Sequence, residues 1–481
     1  MTLEEKTCAQ RMEKIERIRA LGLEPYGFRY LEGRLAAAEV REAVERGGEP
    51  EVKVAGRVTA VRMHGKTTFC DIFDRSGAIQ VFLRKNDLGE TTYTLVRMLD
   101  AGDIIGVEGK AGRTRTGEVT IFARTMTLLS KALLVPPEKR HGLKDVETRY
   151  RRRYVDLFSN PEVRDRFALR HRLIWFLRNL FVEEGFVEVE TPMMQPVPGG
   201  AEARPFVTHH NTLDLDLYLR IAPELYLKRL LVGGFERVFE LNRSFRNEGV
   251  SPRHNPEFTM LEAYLAYGDY TDMMRITERV VSESARVLLG ADGVDYAGRR
   301  YDLRPPYRRL DYETLFSERY GCGVRDEAGV LRAAREAGLD EMSHWAAVDK
   351  LLDLALEALA PEAPVFVVRH PVEISPLAKR AGDDPRLTER FELFVAGMEV
   401  ANGFSELNDP VEQRRRFEQQ LRHAREHGLP RVLDEDFLTA LSYGMPPAGG
   451  LGIGVDRLAM LLTGVRNIRD VILFPTLRPK E

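Results

Sequence analysis

Phe245–Tyr264 reads FRNEGVSPRHNPEFTMLEAY, a stretch that crowds cations, carboxylates and aromatic rings together. Its second half alternates as a strand does, which puts four side chains on one face: Phe258, Met260, Glu262 and Tyr264. The two prolines of VSPRHNP predict a loop before that strand. FERVFELNRSFRNEG precedes the loop and alternates well enough to be a partner strand. The sequence therefore predicts an antiparallel pair joined by a long loop.

The predicted face of this pair carries Arg246 and Glu248 together with Phe258, Glu262 and Tyr264. Arginine binds carboxylates and phosphates through two parallel hydrogen bonds, and an aromatic ring can stack on a purine. The alternative is a hairpin with surface ion pairs of little energetic weight. Because that alternative would leave Phe258 and Tyr264 exposed to solvent, we favour a ligand-binding face.

Composition narrows the class of protein. The chain has 481 residues, 43% hydrophobic and 30% charged, which is typical of a globular enzyme of two or three domains. A net charge of −3 provides no overall attraction to nucleic acid, so RNA binding would depend on local patches. No apolar run could span a bilayer, and the charged N-terminus lacks a secretory signal. Cys8, Cys70 and Cys322 are too dispersed for a zinc site or a disulfide framework, so we expect a cytoplasmic protein.

Changes in the spacing of apolar residues and in local composition divide the chain into four regions. We predict an N-terminal helical segment, a β-barrel domain, a linker and a catalytic domain at residues 1–48, 49–135, 136–155 and 156–481. The catalytic domain includes a helical insertion at roughly residues 271–360. The helical segment rests on apolar residues at helical spacing: Met12, Ile15, Ile18 and Leu21.

Five segments in the second region alternate with a period of two: VKVAGRVTAV, TFCDIFD, IQVFLR, IIGVEGKAG and EVTIFART. Turn signals occur at Ser76-Gly77 and Thr116-Gly117. Five short strands in under ~100 residues indicate an OB-fold barrel, with a β-sandwich as the alternative. The linker that follows carries a basic run of Arg149 and residues 151–153, which is either a solvated surface or faces RNA.

The catalytic region mixes strands and helices without regular βαβ alternation or a GxGxxG motif. This favours an α+β domain built on a mostly antiparallel sheet flanked by helices. A helix begins at Pro161 with Asn160 as its N-cap, and VEVETPMM follows it as a strand ended by Pro192. The apolar residues that this helix should bury are Phe167, Leu169, Leu173, Leu177 and Phe181.

RFELFVAGMEVANGFSELND predicts a hairpin that turns at Ala396-Gly397 and places Glu392 and Glu399 diagonally on one face. Carboxylates roughly 7–8 Å apart at the backbone can bridge a hard divalent cation, although in so charged a sequence the pairing is often coincidental. Three further residues join this face only if a bulge near 401–403 shifts the alternation: Asn402, Phe404 and Glu406.

GGLGIGVDRLAMLL alternates glycines at 450, 452 and 454 with apolar residues, then starts a helix with Arg457 in its first turn. The motif is not a P-loop. Either the glycine face admits a ligand whose phosphate meets Arg457, or the strand simply packs closely against the helix.

Together these stretches resemble the three motifs of class II aminoacyl-tRNA synthetases. EEGFVEVETPMM is similar to motif 1, FRNEG to motif 2 and GLGIGVDRL to motif 3. PGGAEARPF, LRIAPELYLKRL, HNPEFTMLEAY and ANGFSELND further resemble the bacterial-type class II lysyl-tRNA synthetases, and the likeness covers nearly every residue from about 50 to 478. Two positions depart from that family: Asp456 replaces the usual glutamate, and Glu202 replaces a small residue at the pocket edge.

The resemblance implies a ligase that activates L-lysine with ATP to lysyl-adenylate and transfers the lysyl group to the 3′ end of tRNA(Lys). The attacking carboxylate is already ionised, so catalysis needs positioning and charge neutralisation rather than a general base. The implied catalytic residues are Arg246, on the lysine carboxylate and α-phosphate, and Arg457, on the γ-phosphate. The implied ATP site consists of Arg246, Glu248, Arg253, His254, Asn255, Phe258 and Arg457.

Lysine carries two ammonium groups and one carboxylate, so its pocket needs surplus acid. The implied lysine-binding residues are Gly200, Glu224, Arg246, Glu262, Tyr264, Asn402, Phe404 and Glu406. Glu224 would take the α-amino group, and Glu262, Tyr264 and Glu406 the ε-ammonium end. An aspartyl- or asparaginyl-type synthetase is the weaker alternative, because aspartate would require a cation where this chain has Glu406.

The resemblance also implies Mg²⁺ on Glu392 and Glu399, and a homodimer formed through the motif 1 region around Pro192. The implied anticodon-binding residues are Arg62, Phe69, Gln80 and Glu118. On pattern alone, Phe69 would instead be a core ring. Two alternatives differ in function: a paralogue that lysylates a protein, which would lack the barrel, and a non-catalytic RNA-binding protein on an inactive synthetase scaffold.

Overall fold

The structure, a computed structural model, describes residues 2–137, 142–201, 203–339, 342–359, 361–426 and 432–479. It separates into two compact units: Met1–Arg149 with Tyr154–Asn160, and Tyr150–Arg153 with Pro161–Glu481. Glu202, predicted at the pocket edge, lies outside the described residues. The predicted division into regions 1–48, 49–135, 136–155 and 156–481 remains a prediction.

Five strands of the first unit form a closed barrel in the order β1-β2-β3-β5-β4. Their bounds are Glu51–His64 (β1), Thr67–Asp74 (β2), Gly77–Arg84 (β3), Ile104–Arg113 (β4) and Val119–Ser130 (β5). Strand β1 shows the alternation that a barrel requires. Val52, Val54 and Val58 are buried in its interior, and the residues that follow Val52 and Val54 are more exposed. The OB-fold prediction is confirmed, and the sandwich alternative is wrong.

Four helices accompany the barrel: Leu3–Ala20 (α1), Ala37–Glu45 (α2), Lys85–Leu88 (α3) and Glu90–Val96 (α4). Thr2 caps α1 by accepting a hydrogen bond from the Glu5 amide at 3.2 Å. The helix predicted from apolar spacing is present, and Ile15 and Ile18 are its buried residues of that set. Met12 and Leu21 are 55% and 39% exposed because they lie on the outer side of the helix or beyond its end.

The predicted linker contains two short helices, Val146–Arg151 (α5) and Arg153–Ser159 (α6). Arg153 is fully buried, and its guanidinium donates to the carbonyl oxygens of Arg469, at 2.7 Å, and Leu473, at 3.1 Å. An arginine whose donors are used by buried carbonyls cannot face RNA, so that interpretation of the basic run is wrong at this position.

An eight-stranded sheet organises the second unit, in the order β14-β15-β16-β17-β18-β11-β10-β6. Its strands are Val187–Glu188 (β6), Arg237–Phe245 (β10), Glu257–Ala266 (β11), Arg308–Asp311 (β14), Val365–Val368 (β15), Arg390–Val395 (β16), Met398–Ser405 (β17) and Ala448–Gly454 (β18). Only the outermost pairs, β14 with β15 and β10 with β6, are parallel. The prediction of a mostly antiparallel sheet is confirmed.

Smaller elements complete this unit. Two further sheets contain Met194–Gln195 (β7), Val207–His210 (β8) and Leu215–Leu219 (β9), and Gly293–Tyr296 (β12) and Arg299–Asp302 (β13). The helices are Pro161–Glu183 (α7), Glu224–Val232 (α8), Tyr270–Leu289 (α9), Tyr312–Tyr320 (α10), Glu327–Glu336 (α11), His344–Leu359 (α12), Pro410–Glu426 (α13), Glu435–Ser442 (α14) and Val455–Thr463 (α15), with short 3-10 helices at Val372–Ile374 and Ile468–Asp470. None of the helices within the described ranges is long and apolar enough to cross a membrane.

Three expectations for this unit need correction. The insertion at 271–360 is not purely helical, because it includes β12, β13 and β14, and β14 is an edge strand of the main sheet. VEVETPMM contains only the short strand β6 and the first residue of β7, with an irregular segment that includes Pro192 between them. Strand β10 ends at Phe245, so Arg246 and Glu248 lie beyond the strand, in the loop.

One face of the main sheet packs on α7, α9 and α15 to form the core. Leu261 and Ala263 of β11 and Leu451 and Ile453 of β18 contribute to it, and all four are buried. Helix α7 buries Leu173, Leu177 and Phe181 as predicted, whereas Phe167 and Leu169 are only half-buried. Since strand residues alternate, the intervening residues of β11 and β18 point to the opposite face.

Candidate active site

The opposite face of the sheet forms a pocket whose floor is β17, β18 and β11. Strand register aligns Asn402 with Gly452 and Glu262, and in the next row Phe404 with Gly450 and Tyr264. In each row the glycine lies between two functional side chains. The alternating glycines of the sequence therefore open the space in which those side chains meet.

Two glycines of the pocket are required by their surroundings. A Cβ on Gly450 would lie 1.8 Å from Glu406 Oε1 and 2.9 Å from the Tyr264 ring. Gly200 has φ +85°, and a Cβ there would lie 3.0 Å from the Glu224 Cβ. At both positions, a residue with a side chain would displace a neighbouring glutamate, Glu406 at Gly450 and Glu224 at Gly200.

A bulge in β17 brings Glu399 and the following polar residues to this pocket. Phe394 pairs with Glu399 and Leu393 pairs with Ala401, so Val400 is the extra residue. The predicted bulge exists, one residue earlier than the expected 401–403. The pocket is consequently lined by Glu399, Asn402, Phe404 and Glu406 together.

The acidic end of the pocket holds Glu224, Glu262 and Glu406, all buried. Glu224 begins α8, and its Oε1 accepts a hydrogen bond from Lys228 Nζ at 2.5 Å. The Lys228 ammonium also forms an ion pair with Glu406. Sequence reasoning missed Lys228, although its position four residues after Glu224 in a helical stretch places both side chains on one face.

Glu262 has a different environment. Its Oε2 accepts a hydrogen bond from the Tyr264 hydroxyl at 3.2 Å. Burial, together with the nearby Glu224 carboxylate, raises the pKa of Glu262 to about 8. An ammonium ligand would favour the ionised form and lower this pKa.

Arg246 separates the acidic end from the loop that follows β10. Its backbone amide donates to the Pro256 carbonyl at 2.8 Å, and its guanidinium lies 5.1 Å from the centre of the Phe258 ring. Within the described part of the chain, its buried Nε has no hydrogen-bond partner. Burial lowers the pKa of Arg246, and the carboxylates of Glu399, Glu248 and Glu262 oppose that shift. A buried donor of this kind suits an anionic ligand.

The loop between β10 and β11 lies next to Arg457, at the end of the pocket opposite the three buried glutamates. Arg457 Nη1 donates to Glu399 Oε2 at 2.9 Å, and Nη2 lies 3.1 Å from His254 Nε2. Desolvation by the surrounding protein and the nearby cations, Arg457 first among them, lower the pKa of His254 to about 4 although its side chain keeps contact with solvent, so its imidazole is neutral at pH 7. Arg253 donates to the Gly397 carbonyl at 3.0 Å. The buried Oδ1 of Asn255 has no hydrogen-bond partner among the described residues.

Glu392 is the predicted site residue that does not line this pocket. Its Oε1 accepts from Arg390 Nη2 at 2.6 Å, and its Oε2 lies 3.5 Å from His370 Nε2. Burial alone would raise the pKa of Glu392, but Arg390 and His370 lower it to about 2. No cluster of three His, Cys, Asp or Glu ligands suited to a metal occurs in the described ranges. Arg390, which also donates to Asn402 Oδ1 at 3.3 Å, was missed by sequence reasoning.

The outer face of the barrel carries the predicted RNA-binding residues. Arg62 pairs with Asp71 through two hydrogen bonds of 2.9 and 2.8 Å. Phe69 lies outside the buried barrel core and packs on Phe82, with ring centres 4.9 Å apart. Gln80 accepts a hydrogen bond from Thr120 at 2.9 Å and shares a shallow cavity with Asp71 and the exposed Glu118. The interpretation of Phe69 as a core ring is therefore wrong.

Comparisons with known proteins agree on one family. Residues 145–478 match the family model of class II tRNA synthetases for D, K and N, and residues 52–129 match that of the OB-fold nucleic acid binding domain. A lysine–tRNA ligase of Carboxydothermus hydrogenoformans is 51% identical over 98% of both chains. A second, from Pelotomaculum thermopropionicum, is 52% identical over 98% of this chain and 94% of its own. A third, from Moorella thermoacetica, is 50% identical over 99% of both.

Proposed function

The chain belongs to the class II lysyl-tRNA synthetases, and from that premise we propose how its pocket carries out the reaction. The chain activates L-lysine with ATP to lysyl-adenylate and transfers the lysyl group to the 3′ end of tRNA(Lys). The roles given below to individual residues, the metal and the dimer are our proposal. The observation that carries them is the meeting of three buried carboxylates, an aromatic slot and Arg246 in one pocket.

Lysine binds with its α-amino group toward Glu224 and its ε-ammonium toward Glu262, Tyr264 and Glu406. Buried carboxylates discriminate strongly, because a neutral or acidic analogue leaves them unpaired, at a cost of about 1–3 kcal/mol or more for each buried group. Asn402 and Phe404 form the wall of the slot, and Gly200 leaves room for Glu224. This arrangement disfavours aspartate and asparagine.

ATP occupies the other half of the pocket. The unpartnered Nε of Arg246 and its position between the two ends support a bridge between the lysine carboxylate and the α-phosphate. Phe258 stacks on adenine, and the free Oδ1 of Asn255 and the carboxylate of Glu248 orient the base. Arg457 takes the γ-phosphate, with Arg253 and neutral His254 beside it as donors.

The activation step then needs no general base. The lysine carboxylate, ionised at neutral pH, attacks the α-phosphorus in line with the leaving pyrophosphate. Arg246 holds the attacking carboxylate and neutralises charge that develops on the α-phosphoryl oxygens. A donor in such a position contributes about 10²–10³-fold in rate in other enzymes.

We propose that Mg²⁺ would be held by Glu399, which lines the pocket, and by Glu392, the strand partner of the pocket residue Asn402, once Glu392 gives up part of its pairing with Arg390. Mg²⁺ binds through one or two carboxylates and substrate phosphates rather than a full protein cage. Bound there, Mg²⁺ would neutralise the charge of the β- and γ-phosphates. Removal of Mg²⁺ with a chelator should abolish adenylate formation, and addition of Mg²⁺ in excess of the chelator should restore it.

We further propose a homodimer through the motif 1 region around Pro192. Large apolar side chains there are 43–64% exposed: Trp175, Val182, Val187, Met193, Met194, Val207 and Leu213. Exposed apolar residues grouped in neighbouring elements are typical of subunit interfaces. Sedimentation equilibrium tests this proposal. A cytoplasmic location agrees with three cysteines that are all free.

Lysine-dependent ATP–pyrophosphate exchange tests the proposed function, run with each of the twenty amino acids. We expect exchange with lysine and little with aspartate or asparagine. Absence of exchange at millimolar lysine would contradict the assignment, and adenylate formation without charging of tRNA(Lys) would favour a protein-lysylating activity.

A further inference from the structure

A lysine of the chain itself, Lys228, lies directly behind the proposed lysine pocket. Lys228 lies on α8, and its side chain is fully buried behind the pocket lining. Its Nζ donates to Glu224 Oε1 at 2.5 Å, pairs with Glu406 and lies 5.4 Å from the centre of the Phe404 ring. An internal ammonium therefore already contacts two of the three pocket carboxylates.

Buried carboxylates that face one another resist ionisation. Burial raises the pKa of Glu224, and that of Glu406 to about 8, and the Lys228 ammonium limits the rise at both. Although burial acts to lower the pKa of Lys228, the two carboxylates outweigh it and raise that pKa, so the ammonium stays charged. Further charged or titratable groups act on this cluster directly or through Glu262: Glu262 itself, Tyr264, Arg246, Arg390 and Glu240.

The acidic end of the pocket is rich in carboxylates. Glu224, Glu262 and Glu406 are all buried there, and the Lys228 ammonium pairs with two of them. Without Lys228, these carboxylates would take up protons more readily.

On the basis of the proposed function, we propose that Lys228 is a positioning residue: its ammonium favours the ionised forms of Glu224 and Glu406 and orients both carboxylates before the substrate lysine arrives. The side chain does not touch the substrate. It acts through the two carboxylates, with which it forms a fully buried ion-pair network. Such a network is pre-organised, so the substrate does not have to reorient its ligands on binding.

Lys228→Met tests the proposal, because methionine has a similar length and no charge. We expect the KM for lysine near pH 7 to rise about tenfold or more, since each unit of pKa increase in a carboxylate costs tenfold in its ionised form. The increase should shrink as the pH rises further, because ionisation of the carboxylates then depends less on the ammonium. The KM for ATP should stay unchanged.

Arg229→Met is the matched control. Arg229 is the next residue on α8 and pairs with Asp434 at 2.8 Å, away from the pocket. The control should lower thermal stability without changing how the lysine KM depends on pH. A Lys228→Met enzyme with a parental lysine KM, or with a KM raised equally at every pH, would overturn the proposal.

A measurement on the parent protein covers the case in which Lys228→Met does not fold. Calorimetric titration with lysine, in buffers of different ionisation enthalpy, counts the protons released on binding. Near pH 7 we expect one or two protons, because the Lys228 ammonium favours the ionised form of at least one of its two partner carboxylates. Release of three, one from each buried carboxylate, would overturn the role of Lys228. If the parent neither binds lysine nor catalyses exchange, the proposed function itself fails.

Discussion

The charge state of Glu262 links lysine binding to pH at the scale of a single residue. Its pKa is raised to about 8, and only the ionised carboxylate pairs with an ammonium. Free lysine keeps its ε-ammonium in this range, with a pKa of about 10.4. Lysine affinity should therefore rise as the pH increases through about 8 and fall below it. The lysine KM in pyrophosphate exchange, measured between about pH 6.5 and 9, checks this.

Glu262→Gln removes the ionisable group. We expect kcat/KM for lysine to fall by about 100-fold, since breaking a buried charge pair costs about 2–5 kcal/mol, and its pH dependence near 8 to disappear. Glu257→Gln makes the same change on the same strand at an exposed position. That variant should match the parent, and equal losses in both would remove Glu262 from the lysine site.

The guanidinium of Arg246 is a second single group on which the reaction should depend. Arg246→Ala should lower kcat for lysine-dependent exchange by about 10²–10³-fold, because a donor positioned at the reacting phosphoryl group is lost. Arg243→Ala is a suitable control, since Arg243 lies on β10 with its side chain paired to exposed Glu257 at 3.6 Å. An Arg246→Ala enzyme as active as the parent would show that the assignment is wrong.

At the scale of elements, the pocket depends on one glycine strand and one bulge. Strand β18 separates β17 from β11, and its glycines leave the gap in which Glu406, Tyr264 and Glu262 converge. The bulge at Val400 turns Glu399 and Asn402 toward the same cavity despite their spacing in sequence. Neither element supplies a charged group of its own to the lysine end, yet both determine where the charged groups point.

Gly450→Ala tests the glycine strand. The new Cβ would lie 1.8 Å from Glu406 Oε1, so the carboxylate must move. We expect a loss of about 1–3 kcal/mol in the free energy of unfolding of the catalytic unit, together with a higher lysine KM. Urea denaturation and exchange kinetics measure the two effects.

Gly452→Ala provides a graded comparison on the same face of the same strand. Its Cβ would lie 3.1 Å from the flexible Met260 methyl group, which can yield. Both losses should therefore be smaller than for Gly450→Ala. Equal effects at the two positions would mean that the approach of Glu406 is not what requires glycine.

At the scale of the whole molecule, the two compact units carry separate tasks. The barrel presents Phe69, Arg62 and Gln80 on its outer face, and the second unit contains the pocket. Activation of lysine should therefore be independent of residues on the barrel, whereas recognition of tRNA(Lys) should depend on them.

Phe69→Ala separates these tasks. Loss of one base stack should cost about 1–3 kcal/mol in tRNA binding and lower kcat/KM for aminoacylation about 5–150-fold. Pyrophosphate exchange, which needs no tRNA, should be unchanged and serves as the internal control. Equal aminoacylation by parent and variant would exclude Phe69 from anticodon binding.

The sequence by itself determined the elements whose signals are local. Alternation in residues 52–129 predicted the barrel, and the proline-bounded loop between β10 and β11 followed from its own composition. The resemblance to a known family identified most of the charged and aromatic pocket residues from short stretches such as FRNEG, HNPEFTMLEAY and ANGFSELND, each of which can be recognised by itself. These features depend on φ/ψ preference and on side-chain period, which neighbouring residues set.

Only the tertiary structure decided the contacts between distant segments. It paired Lys228 with Glu406 as well as Glu224, placed the bulge at Val400 and attached Glu392 to Arg390 and His370 rather than to the pocket. It also turned Arg153 inward and Phe69 outward. Charge and ring identity were visible in the sequence, but which group neutralises which depends on strand order and packing, where burial makes each unpaired charge costly.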